Sequence, residues 1–294
     1  MIIQQIETSY RNFTENYLHN LHPSEIEYIG INFHEQANDP PIFKCYYSTK
    51  YSLQYYDNEI LRPFRKRNMI HSLNLIRDTN YSNTLRFEIG LYNRNNKNMK
   101  WLYEWIEHSF LLSPKQKDVL NHMAKWKCCS LSTHQFAALY YLGLITNTPT
   151  HFPLKAIKPH YILRTCENPD KIGKNYCVNL ESVLQFLRTT KIPALINLVD
   201  ALSPIANDKN ELWIVAMDFF SDPSITTKYK IYLKDKGGTL LSELERVILS
   251  YKLYSLAEQL ATFATWLDKH ETLKIYGVAV CLTEDGKWSI NCYI

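Results

Sequence analysis

The sequence has no apolar run approaching the ~18 residues that a membrane-spanning helix requires, which argues against a transmembrane segment. Its opening, with Glu7 and Arg11 in a mixed polar stretch, lacks the basic-then-apolar order of a secretion signal. The seven cysteines lack metal-ligand spacing. Cys128 and Cys129 are adjacent, and Cys45, Cys166, Cys177, Cys281 and Cys292 fall mostly in strand-like stretches, as reduced thiols acting as small hydrophobes do. A cytoplasmic protein with no membrane partner is the expectation. There is no GxxxxGK loop; Gly237 and Gly238 read as the turn before a helix capped by Thr239. His108, His122 and His134 are too scattered for a metal box. A large excess of one charge is missing too. The 33 Lys and Arg against 29 Asp and Glu leave +4, which argues against a nucleic-acid partner. No long linker or low-complexity stretch divides the chain, so residues 1–294 are expected to form a single domain, with a monomer as the working state.

What is abundant is tyrosine: 21 Tyr against 12 Phe. Tyrosine suits half-buried strands and supplies phenolic hydroxyls that need partners when buried. An amphipathic helix is expected over 3–20, with Ile3, Ile6, Tyr10, Phe13, Tyr17 and Leu21 on one side and Pro23 ending it. Beyond it the pattern repeats as two short strands, a turn and then helix. Hairpins are predicted at Ile26–Phe33 with Ile42–Ser48, Met69–Arg77 with Thr84–Asn93, Lys158–Cys166 with Lys174–Leu180, Leu212–Phe219 with Thr226–Leu233, and Leu273–Leu282 with Trp288–Ile294. Helices are predicted at Met99–Phe110, Pro114–Lys127, Ser132–Leu144, Glu181–Arg188, Pro193–Leu202, Thr239–Leu249 and Ser255–His270. A sheet of about ten antiparallel strands tends to curl, and closure removes its exposed edges. The fold class is therefore α+β: a closed antiparallel barrel of about ten strands (five hairpins) surrounded by a ring of helices.

Alternate residues of a strand share a face. In Thr226–Leu233 one face carries Lys228, Lys230 and Tyr232, and the other Tyr229, Ile231 and Leu233. The apolar face should meet the helices, so the cationic face points inward. The same register gives Lys44 with Tyr46, Lys174 with Tyr176, and Arg86 with Glu88, Gly90 and Tyr92; the last strand adds Ser289, Asn291 and Tyr293. Buried ammonium groups are costly without counter-charge, and Glu88 is the clearest inward carboxylate. A bound polyanion would meet that cost. A diphosphate fits, because charge-assisted bonds to phosphate oxygens are strong. Aromatic faces nearby would stabilise a carbocation by about 0.5–2 kcal/mol each. Arg62, Arg65, Lys66 and Arg67 form a separate basic patch that reads as a solvated face or as a lid.

The segment WIVAMDFFSDPSITTKYKIYLKDK, with Asp218, Lys228, Lys230 and Tyr232, resembles a hairpin of the aromatic prenyltransferases with the repeated α-β-β-α (ABBA) barrel. LKIYGVAVCLTEDGKWSINCYI is similar to their final hairpin, and GINFHEQANDPPIFKCYYS matches more loosely. The resemblance implies an allylic isoprenyl diphosphate donor and an electron-rich aromatic acceptor, of indole or phenol type, free or in a peptide. It implies Lys228, Lys230 and Tyr232 as diphosphate contacts, joined by Lys44, Arg86 and Lys174. Tyr46, Tyr176, Tyr232 and Tyr293 would shield the cation, and Glu88 would accept the acceptor's proton. There is no DDxxD box. No cofactor is required on this reading, with Mg2+ left as an option. Competing readings are a non-catalytic barrel for a small anionic or amphipathic ligand, and a single-stranded nucleic-acid binder, against which the modest charge and inward placement argue.

Overall fold

The computed structural model describes residues 2–18, 26–35, 41–48, 59–78, 85–92, 96–110, 112–126, 135–146, 154–165, 180–207 and 209–294. Ten strands run in the order β1 (Ile26–His34), β2 (Ile42–Ser48), β3 (Ile70–Asp78), β4 (Leu85–Leu91), β5 (Gln135–Thr146), β6 (Leu154–Thr165), β7 (Asn210–Phe220), β8 (Lys228–Asp235), β9 (Gly277–Thr283) and β10 (Trp288–Tyr293). Each pairs antiparallel with its sequence neighbour. The ring closes where β10 returns to β1, from Gly30 opposite Tyr293 to His34 opposite Ser289. Among the described residues the α-helices are α1 (Ile2–Phe13), α2 (Arg62–Lys66), α3 (Asn96–Ser109), α4 (Pro114–Trp126), α5 (Leu180–Thr189), α6 (Pro193–Leu202), α7 (Leu240–Ser250) and α8 (Tyr254–Asp268).

The core lies between barrel and helices, because each strand turns its apolar residues outward. Tyr229, Ile231 and Leu233 of β8 are buried on that side, as are Val278, Val280 and Leu282 of β9. Aromatic contacts pin the helices down: Phe263 of α8 meets Phe33 of β1 at 5.2 Å between ring centroids, and Phe13 of α1 stacks on Phe43 of β2 at 5.7 Å. The basic patch at 62–67 folds largely as α2. Its Phe64 packs edge-on against Trp101 and Trp105, and Arg67 lies over the Trp101 ring. At Asp285-Gly286 the chain turns between β9 and β10 with Gly286 at φ +86, the left-handed region open to glycine.

Several expectations need correction. The segment predicted as a helix at Ser132–Leu144 is, from Gln135 on, strand β5. Its Ala and Leu residues favour a helix, but β6 offers a long ladder, from Gln135 opposite Thr165 to Thr146 opposite Leu154, and pairing overrides local propensity. The third hairpin is therefore β5 with β6. The predicted strand Lys158–Cys166 lies, over its described residues 158–165, in β6, as the second member of the pair and not the first. Leu180, placed at a strand end, opens α5. Lys174 and Tyr176 lie outside the described residues. Thr239 stands at the start of α7 but its hydroxyl donates to Glu243 (3.1 Å) and makes no backbone cap.

Candidate active site

The inward register of β8 holds as read from alternation. Lys228, Lys230 and Tyr232 stand opposite Asp218, Ala216 and Ile214 of β7, and opposite Thr283, Cys281 and Ala279 of β9. Small neighbours on both sides leave room for the two lysines. Asp218 is the residue on which the cations converge. Its Oδ2 accepts from Lys230 Nζ at 2.7 Å and from Lys158 Nζ at 3.0 Å, with Asp218 only 3% and Lys230 8% exposed. Burial alone would push the Asp218 carboxyl up, but the Lys158, Lys230 and Lys228 ammonium groups hold it well below the usual carboxylate range. Burial brings the Lys158 ammonium down to about 8, against the pull of Asp218 and helped by Lys230 and Arg86. Lys228 Nζ reaches Ser289 Oγ at 3.5 Å. One buried and one partly buried lysine thus share one carboxylate oxygen, and the other, Oδ1, is buried without a partner.

Above the lysines lies a collar of four tyrosines. Tyr28 stacks on Tyr46 at 4.3 Å, Tyr293 meets both edge-on at 5.5 and 5.9 Å, and Tyr232 stacks on Tyr293 at 5.9 Å. Gly30 makes this possible, since a Cβ there would lie 3.1 Å from the Tyr46 ring. Desolvation pushes all four phenols up, so they remain neutral hydroxyls. His160 closes the collar. Its Nδ1 lies 2.9 Å from the Lys158 carbonyl, which can only accept, so Nδ1 carries the proton and Nε2 accepts from the Tyr232 hydroxyl at 3.2 Å. Burial and the nearby Lys230 charge lower His160 to about 3, leaving a neutral imidazole.

Beyond the collar opens a cavity of about 370 Å³ lined by Tyr28, Glu88, Tyr141, His160, Tyr232 and Tyr293, with Trp213 and Tyr276 among the residues farther along its wall. Glu88 is 8% exposed, and its Oε1 accepts from the Tyr28 hydroxyl at 3.2 Å. Desolvation raises its carboxyl to about 7, opposed by the Tyr28 hydrogen bond and by Lys230, and reinforced by the charge of Glu27.

The structure thus brings together Arg86, Glu88, Lys228, Lys230, Tyr46, Tyr232 and Tyr293, each singled out from sequence. Lys44 faces the lumen by register, opposite Gly30, and is half-buried. Tyr92, grouped with Arg86 and Glu88 by alternation, lies past the end of β4 and is exposed. Sequence reasoning missed Tyr28, Lys158 and His160 as lumenal residues, although parity from Gly30 or within β6 would have found them. It used Asp218 as a landmark and not as the counter-charge. Among the described residues no group of three or more His, Cys, Asp or Glu could hold a metal ion. Mg2+ takes oxygen ligands, and at the cationic end Asp218 Oδ2 is already engaged by two ammonium groups.

No family model matches the sequence, and no curated protein sequence matches it. Solved structures do match the fold. The crystal structure of NotF prenyltransferase aligns with a TM-score of 0.58 at 8% identity, over 99% of this chain and 91% of that one. AnaPT from Neosartorya fischeri gives 0.56 at 11% identity, over 91% and 77% of the two chains. The 6-dimethylallyltryptophan synthase from Micromonospora olivasterospora, solved in complex with DMASPP and Trp, gives 0.52 at 9% identity, over 91% and 80%. At these identities the likeness is one of fold, and the fold is the α-β-β-α barrel of the aromatic prenyltransferases.

Proposed function

We propose that the chain transfers an isoprenyl group from an allylic diphosphate to an electron-rich aromatic acceptor inside the barrel. The observation that carries this reading is the order of groups along one lumen: buried lysines, then a tyrosine collar, then a cavity with a single deeply buried carboxylate among its lining residues. In the proposed reaction the C1–O bond of the donor breaks and diphosphate leaves with the bonding electrons. Lys158, Lys228, Lys230 and Arg86 balance its charge. Tyr28, Tyr46, Tyr232 and Tyr293 present ring faces to the allylic cation, worth about 0.5–2 kcal/mol each, and keep water from it. The acceptor's ring forms the new bond to C1. The proton it loses passes to Glu88, whose pKa near 7 suits a base working at neutral pH. Lys44 and Lys174 are further diphosphate contacts on this reading and Tyr176 a further shield for the cation; the roles of Lys174 and Tyr176 rest on the sequence pattern alone.

The test is to incubate the full chain with allylic diphosphates of increasing length against indoles, phenols and aromatic peptides, following diphosphate release and product mass. Prenylated product with at least one pair is expected. Tight binding of donors without turnover of any pair would leave the barrel as a ligand-binding protein.

A further inference from the structure

Strand β1 carries one residue too many at its start. Ile26 stands opposite Tyr47 and Tyr28 opposite Tyr46, so Glu27 is an extra residue between two consecutive pairs, a β-bulge. Regular alternation would turn Glu27 outward with Ile29 and Ile31. The bulge instead turns it onto the cavity wall, where its Oε2 accepts from Asn74 Nδ2 at 2.7 Å. Asn74 stands opposite Glu88 in the β3–β4 ladder and is 3% exposed, and its Oδ1 is buried with no partner. This wall therefore presents two carboxylates to whatever fills the cavity, with an unpartnered amide oxygen buried beside them. A second bulge does the same in β7. Leu212 pairs with Leu233 and Ile214 with Tyr232, and the extra residue Trp213 reaches the cavity, where it meets Tyr276 edge-on at 5.9 Å. The Lys234 ammonium lies 4.9 Å over the Tyr276 ring, so a cation already rests on this aromatic rim.

We infer that the acceptor taken by this cavity carries a positively charged nitrogen group, seated against Glu27 and Glu88 with an N–H directed to Asn74 Oδ1 and with Trp213, Tyr141 and Tyr276 as walls. The inference rests on the transferase reading for the word acceptor, and the site itself rests on the geometry. An aromatic cation satisfies each feature. Its N–H donors meet the Glu27 and Glu88 carboxylates through charge-assisted bonds. Its charge offsets that of two carboxylates, one exposed and one buried. Its ring fits the aromatic sides. The lumen then holds opposite charges at its two ends, anion against the lysines and cation against the glutamates.

The experiment is equilibrium binding, by calorimetry on the full chain, of three indoles of similar size: tryptamine (cationic), tryptophol (neutral) and indole-3-propionate (anionic). Tryptamine should bind at least tenfold tighter than tryptophol, with the propionate weakest. Glu27→Gln should reduce the tryptamine preference to below threefold and leave pyrophosphate affinity unchanged within twofold. Equal binding of tryptamine and tryptophol, survival of the preference in Glu27→Gln, or binding of none of the three overturns the inference. Diphosphate release measured alongside keeps the two readings apart. Selective tryptamine binding without turnover defeats the transferase and retains the cation seat; turnover without selectivity does the reverse.

Discussion

At Asp218 one carboxylate oxygen meets two ammonium groups, and this resolves how a barrel keeps lysines inside without a ligand. Removing the only partner of a buried charge costs roughly 3–5 kcal/mol, so the carboxylate is structural before it is anything else. Glu88 plays the opposite part. It lies in the same lumen, but desolvation outweighs its partners and raises its pKa to about 7. The consequence for stability has a definite sign. In the unfolded chain a glutamate loses its proton near about 4.3, whereas the folded chain keeps it to about 7. Over that window the folded state holds the extra proton, so stability is full below the unfolded value and falls as pH rises through the folded one. Glu88→Gln, which cannot ionise, should gain on the wild type by on the order of 1–3 kcal/mol between pH 5 and pH 8 in thermal melts. The acidic limb of the rate profile, expected near pH 7, should vanish with it. Parallel melting curves for the two proteins across that range would refute the assignment. Glu88 was legible from parity within its strand; its raised pKa was not, because burial depends on chains far away in sequence.

Strands in this barrel deviate from strict alternation at places that matter. Glu27 and Trp213 both sit at one-residue bulges and both line the cavity, and period-two reading assigns each to the wrong face. A bulge leaves no clear mark in a single sequence, since it is set by the register of the partner strand. Strand β5 escaped for a related reason: its Ala and Leu residues suit a helix, and only the ladder with β6 decides otherwise. Gly277, the first residue of β9, lies close to a neighbouring backbone. A Cβ there would sit 2.7 Å from the Leu233 carbonyl oxygen, which belongs to the β8 backbone and cannot rotate away. Gly277→Ala should therefore push β9 from β8 at the cavity wall. A loss of about 1–3 kcal/mol is expected, read as a fall of several degrees in Tm. Weaker acceptor binding should accompany it, and an unchanged Tm would show that the seam can yield.

The molecule is built on a barrel whose lumen carries charge and whose apolar outer face is covered by helices, an inversion that closure allows. Ligand binding to such an interior should register as global stability. A saturating anion at about one hundred times its Kd adds roughly 2.7 kcal/mol, or about 4–8 °C in Tm for a chain of this size. Pyrophosphate should produce that shift in the wild type, and Lys230→Ala should lose most of it, since a charge-assisted bond is worth about 1.5–3 kcal/mol. An equal shift in both proteins would remove Lys230 from the anion site. The sequence by itself determined the repeat of hairpin and helix, the inward face of β8, and the inference of a closed barrel, because strand period and turn chemistry are local. Only the tertiary structure decided that Asp218 is the counter-charge and that Glu27 and Trp213 turn inward. Those outcomes depend on which strands become neighbours and in what register. The face of Lys228, Lys230 and Tyr232 could be read along the chain, but the groups they meet come from strands brought close by closure alone.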